Sequence, residues 1–140
     1  MSRSFANDYA YGIKKEDELL PILNSKFNTI FKKQPKYASI DFTSGNIKIE
    51  QKARTNAYKQ FSTTLIPASK LKTISDNDDA YFLFSFTDGD YIIQYDKDIF
   101  ANYEIKPFVR HKRIDFNDKL QDYIYIPIDD LINLDELEVI

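Results

Sequence analysis

The pair Gly45-Asn46 interrupts two runs in which apolar and polar residues alternate, and it constrains the fold more than any other feature of the chain. Such a pair between alternating runs favours the primed turns, whose twist matches that of paired strands. The stretch from Tyr37 to Arg54 therefore reads as one tight β-hairpin. With residues 45 and 46 as the loop, Ser44 pairs with Ile47, Thr43 with Lys48, Phe42 with Ile49 and Asp41 with Glu50. Side chains alternate along a strand, so Ile40, Phe42, Ile47 and Ile49 share one face. Ser39, Asp41, Thr43, Lys48, Glu50 and Lys52 share the other, and a slip of one residue would exchange the two faces.

The apolar face is core. On the polar face Asp41 and Glu50 are directly opposed, with Cβ atoms expected ~4.5–5.5 Å apart, where like charges repel unless compensated. A divalent cation would compensate them, since Mg²⁺ takes one or two carboxylates and completes its shell with water and phosphate oxygens. Lys52 projects from the same face, where an ammonium can orient an attacking water or stabilise charge growing on a phosphate. A solvated face on which Lys48 and Lys52 offset the two acids accounts for the same residues.

The lack of cysteine and the presence of one histidine, His111, exclude thiolate and multi-histidine centres within the chain. A metal would be held by oxygen, which favours Mg²⁺, Mn²⁺ or Ca²⁺ over zinc. The net charge of −3 conceals a split: residues 1–72 hold 13 Lys and Arg against 6 acids, or +7, and residues 73–140 hold 6 against 16, or −10. A basic half containing the hairpin suits a polyanion. Lys48, Arg54, Lys59 and Lys70 are its candidate nucleic-acid contacts, with Lys32, Lys33, Lys36 and Lys72 as further phosphate contacts.

Before the hairpin, Ile13, Leu20, Leu23, Phe27, Ile30 and Phe31 recur at helical spacing, which predicts a helix from about Tyr11 to Phe31 after an arm at residues 1–10. Glu16 falls within the apolar stripe, between Leu23 and Phe27, and Glu18 on the opposite side. Glu16 thus points inward, or else occupies a frayed first turn favoured by the helix dipole. Pro21 should kink that helix or mark a late start.

After the hairpin, Ser62–Ile66, Ala80–Phe86, Tyr91–Tyr95, Tyr103–Val109 and Asp122–Ile128 read as strands. Pro67 is placed to open a helix reaching Ser75, and Asp129 to cap one through Leu137. Arg110 to Arg113 form a basic cluster in the acidic half. At 140 residues, with 43% hydrophobic residues, the chain reads as one folded domain. No apolar run approaches the ~20 residues that span a bilayer, so the expectation is a soluble intracellular protein without membrane contact.

Gly12-x3-Glu16 on a first helix, then Asp41, then Glu50-Gln51-Lys52 on the following strand, resembles the PD-(D/E)XK nucleases over roughly residues 11–75. The resemblance implies an α/β (α+β) restriction endonuclease-like core, a mixed central sheet flanked by helices. It also implies Mg (or Mn) held by Asp41, Glu50 and the Gln51 carbonyl, with Lys52 assisting water attack and Glu16 reaching the site from the helix. The expected activity is a DNA endonuclease, resolvase-like on branched DNA or acting in repair. A dimer is the usual state of such resolvases. A nucleic-acid-binding module that keeps the fold without hydrolysis is the alternative. The Lys- and Asn-rich composition fits an AT-rich genome such as some viruses have. A second Glu-x-Lys, Glu104-Ile105-Lys106, lacks an opposed acid and is set aside. Ile40 stands where the motif has proline, and only Lys32–Lys36 separate helix from hairpin, so the sheet should be trimmed at that edge.

Overall fold

A computed structural model of the chain describes residues 5–35, 38, 40–108 and 121–139, with side chains from Tyr11 onward. Its elements are α1 (Phe5–Phe27), β1 (Lys32–Lys33), β2 (Phe42–Ser44), β3 (Ile47–Ala53), β4 (Thr63–Pro67), β5 (Asp79–Phe86), β6 (Gly89–Gln94), α2 (Lys97–Phe100), β7 (Glu104–Pro107), β8 (Asp122–Pro127) and β9 (Ile132–Asn133). The expected basic cluster Arg110–Arg113, with His111, and Lys36 lie outside the described residues.

The hairpin forms in the expected register, Ser44 to Ile47, Thr43 to Lys48 and Phe42 to Ile49. Gly45 has φ +58° and Asn46 does not share a positive φ, the signature of a II′ turn, in which only the first central residue needs that conformation. From this hairpin the sheet grows in the order β1-β2-β3-β5-β6-β9. β3 and β5 run parallel and the other neighbours antiparallel, so the fold is mixed α/β about a central mixed sheet. A second sheet, β4-β8-β7, completes it.

β5 lies inside the larger sheet, and seven of its eight residues are buried. Tyr81 and Leu83 point to one face, where Leu19, Leu23 and Phe27 of α1 join Phe42 and Ile49. Phe82, Phe84 and Phe86 point to the other, where Ile66, Ile124 and Ile126 of the second sheet close over them. A parallel strand covered on both faces reads as a near-continuous apolar run for this reason.

α1 differs from the expected helix at both ends. It begins at Phe5, inside the expected arm, and runs through Pro21. It stops at Phe27, where Asn28 takes φ 51°. The Asn28 N–H donates to the Ser25 carbonyl at 3.4 Å and the Thr29 N–H to the Asn24 carbonyl at 3.1 Å, a Schellman stop. Ile30, counted on the helical stripe, is consequently 81% exposed. Leu19, not counted on the expected stripe, joins Leu23 and Phe27 in the core. The Glu16 side chain is 19% exposed and that of Glu18 49%, so one acid faces inward and the other faces water.

Both expected later helices are replaced by shorter elements. Pro67 precedes a 3-10 helix, Ala68–Thr73, that stops short of Ser75. The segment after Asp129 breaks into 3-10 turns at Ile128–Asp130 and Leu134–Glu136 around β9, with Asn133 rather than Asp129 accepting the capping hydrogen bond. Asp96 caps α2, an unexpected single turn. The expected trimming at the hairpin's outer edge takes the form of β1, a strand of two residues. Among the described residues no helix is long and apolar enough to cross a membrane.

Leu23 is fully buried between α1 and the sheet. Leu23→Ala should lower the unfolding free energy by ~2–5 kcal/mol in urea titration, while Ile30→Ala should change it by less than about 0.5 kcal/mol.

Candidate active site

β2 begins at Phe42, so the expected Asp41–Glu50 pair is not part of the ladder, and β3 from Glu50 to Ala53 has no ladder partner on that side. Asp41 fills the gap. Its N–H still donates to the Ile49 carbonyl at 3.1 Å, and its Oδ2 accepts the Gln51 N–H at 2.8 Å. One side chain thereby takes up a backbone donor beyond the end of the β2 ladder and is held at the edge of a cleft of about 610 Å³. Ladder geometry alternates: the Arg54 N–H is directed to Ser85 of β5, so the backbone groups of Gln51 face the opposite way, toward Asp41.

Glu50 and Lys52 lie on the β3 face away from α1, beside Phe82 and Phe84 of β5. Glu50 is 2% exposed. Its Oε1 lies 3.2 Å from the Lys52 Nζ and 3.1 Å from the Lys70 Nζ, the latter arriving from the 3-10 helix after β4. Its Oε2 is buried and has no hydrogen-bond partner among the described residues. Glu16 enters from α1 and pairs with Lys33 at 3.4 Å, and Lys33 also reaches Asp17 at 2.8 Å. The hydrogen bond that Lys33 donates to the Asp17 carboxylate is the main reason that its ammonium is held above its ordinary value; burial opposes it and Glu16 adds to it.

Asp41 records the charge density of the site. Burial, first, and then the neighbouring Glu16 and Glu50 push its carboxyl up to about 6, against the Gln51 N–H and Lys52, which favour the ionised form. The folded chain thus binds this proton more tightly than an unfolded one.

Of the residues anticipated from sequence, Glu16, Asp41, Glu50, Gln51, Lys52 and Lys70 all line the one cleft. Lys70, expected on a phosphate, instead sits on Glu50. Lys48 shares the face of Glu50 but is drawn to Asp78 at 2.9 Å, and it does not line the cleft. Arg54 donates to the Leu65 carbonyl and lies 5.5 Å from the Phe84 ring centroid, lining a separate pocket of about 200 Å³. Lys59 is exposed, 3.9 Å from Asp129. Lys33, anticipated only as a phosphate contact, emerges as the partner of Glu16.

The donor set fits a hard divalent cation in chemistry: two carboxylates and, by the ladder's alternation, the Gln51 carbonyl on the same side as Asp41. The Glu50 Oε2 is a buried acceptor that no described residue uses. Among the described residues, however, no three Asp, Glu, His or Cys side chains are gathered closely enough to hold a metal by themselves. Solvent or substrate oxygens would have to complete the shell.

The raised Asp41 carboxyl sets a pH test. Its contribution favours folding below its ordinary value and turns against folding as pH rises through about 6. Asp41→Asn should therefore gain on the wild type by roughly 2–3 kcal/mol between pH 4 and pH 7.5 in metal-free urea titrations; equal pH slopes for the two proteins would contradict it. Set beside known proteins, this chain matches no protein-family model, no curated protein and no solved structure.

Proposed function

We propose that the chain is a metal-dependent DNA endonuclease with a PD-(D/E)XK site on a restriction endonuclease-like core. The observation that carries this reading is the convergence of Glu16, Asp41, Glu50 and Lys52 on one cleft from α1, the edge of β2 and the middle of β3. Glu16 joins the hairpin's three residues only through tertiary packing, and an inward acid on a core helix has a cost that a binding role explains. The two-residue β1 outside the hairpin and the parallel β3-β5 pair agree with a trimmed sheet of that kind.

Asp41, Glu50 and the Gln51 carbonyl would hold Mg²⁺ or Mn²⁺, which supplies Lewis acidity and neutralises phosphate charge when bound. The chain's own groups do the rest. Lys52, on the same face as Glu50, donates hydrogen bonds to the attacking water or to a non-bridging phosphate oxygen. Glu16 presents an acceptor that orients the water, and Lys33 holds Glu16 in place. The water oxygen bonds to phosphorus as its proton passes to the Glu16 carboxylate, the bond from phosphorus to the leaving sugar oxygen breaks, and that oxygen takes up a proton from solvent. The Gln51 N–H fixes the Asp41 carboxylate throughout.

A non-catalytic nucleic-acid-binding module is favoured by one observation, the lysine pairing that already balances Glu50. It predicts salt-sensitive DNA binding that is indifferent to metal. The nuclease reading predicts cleavage with Mg²⁺ or Mn²⁺ on at least one of duplex, branched or single-stranded DNA. Asp41→Ala, Glu50→Ala and Lys52→Ala should each reduce the rate by roughly 10²-fold or more, with folding checked by circular dichroism. Cleavage that survives in all three variants would remove the assignment.

A further inference from the structure

Glu50 is the most deeply buried acid of the cleft, and both of its oxygens are closed to an incoming ion for different reasons. Oε1 already faces two ammonium groups, at 3.1 and 3.2 Å. Oε2 is cut off from solvent. A divalent cation approaches a carboxylate oxygen to about 2.0–2.6 Å. It can reach Glu50 only by replacing an ammonium at Oε1 or by turning the carboxylate, and turning breaks the same two ion pairs. A buried carboxylate with no counter-charge is strongly disfavoured, so the lysines serve a purpose in the metal-free chain, and that purpose ends when a cation arrives.

The two lysines are not equivalent. Lys52 is fixed in the middle sheet by β3, which pairs on one side with β5 along its whole length. Lys70 is carried by a short 3-10 helix that has no side-chain cap and no buried residue, and it reaches Glu50 from twenty positions away in sequence. Lys70 is the one whose backbone support can yield.

We propose that Lys70 is the resident counter-ion of Glu50, a positioning residue that a divalent cation must displace when it binds. The inference rests on the metal-site reading above and adds an exchange of one cation for another. In the metal-free chain Lys70 holds the Glu50 carboxylate in the cleft; once displaced, its ammonium remains at the cleft wall, available to an anionic ligand.

The test is titration of the full chain with Mn²⁺, without DNA, with free ion followed by electron paramagnetic resonance. Lys70→Met keeps the stem and removes the charge. It should bind Mn²⁺ about tenfold more tightly than wild type, within the range usual for a coupling between two ligands of one site, whereas Lys70→Arg should bind no more tightly than wild type. A purely structural role for Lys70 predicts the opposite sign, weaker binding in Lys70→Met. Thermal unfolding gives a second readout: without metal Lys70→Met should melt below wild type, and saturating Mn²⁺ should raise its Tm by more than it raises that of wild type. Wild-type binding with no gain in Lys70→Met or Lys70→Gln overturns the exchange while leaving the metal site standing. Absence of Mn²⁺ binding to every variant and to wild type overturns both.

Discussion

The hydrogen bond from the Gln51 N–H to the Asp41 carboxylate, at 2.8 Å, is where the hairpin's architecture and the cleft's chemistry become one problem. A strand that outlasts its neighbour leaves backbone donors without partners, and a buried unpaired donor is costly. Here an acidic side chain meets that need. In doing so it is fixed beside Glu50 and Glu16, both of which make its ionisation harder. The local backbone requirement and the crowding of negative charge have the same origin, because the residue that caps the ladder also lines the cleft.

Everything around that bond depends on β5. Its two faces support separate apolar clusters, one roofed by α1 and one by the smaller sheet. β3 runs parallel beside it and inherits the same two-sided environment, so Ile49 is committed to the helix side and Glu50 to the other. Glu50 is buried because the second sheet and the 3-10 helix after β4 lie over that face, and its ion pairs with Lys52 and Lys70 are the electrostatic counterpart of this packing.

The hairpin was legible in the sequence because its turn and alternation are short-range properties, and the observed register agrees with the one they imply. Glu16 was legible because helical periodicity alone places it among leucines. The ends of α1 were not: Asn28 stops the helix through a left-handed turn, and Phe31 then enters the core from outside the helix, its N–H held by the Asn24 side chain at 2.7 Å. Strands of two residues, such as β1 and β9, carry too little pattern to be read. Lys70 was read as a nucleic-acid contact since nothing in its neighbours states that a strand and a turn will bring it across to Glu50. Lys48 shows the converse. Its face was read correctly, but its partner, Asp78, lies thirty residues away in a loop whose position only tertiary packing decides.

Pro21 interrupts α1 between its two duties. Proline has no N–H, so the helical bond to the Asp17 carbonyl is missing within an otherwise continuous helix. On one side of the gap, Leu23 and Phe27 seat the helix against the sheet; on the other Leu19 does the same, and Gly12 and Glu16 lie at the cleft. In mechanical terms α1 is a beam pinned on both sides of its one missing rung. Leu19, three residues from Glu16 on the same side of the gap, is seated in that core as firmly as Leu23, so packing and not an unbroken backbone ladder sets where the Glu16 carboxylate meets the cleft.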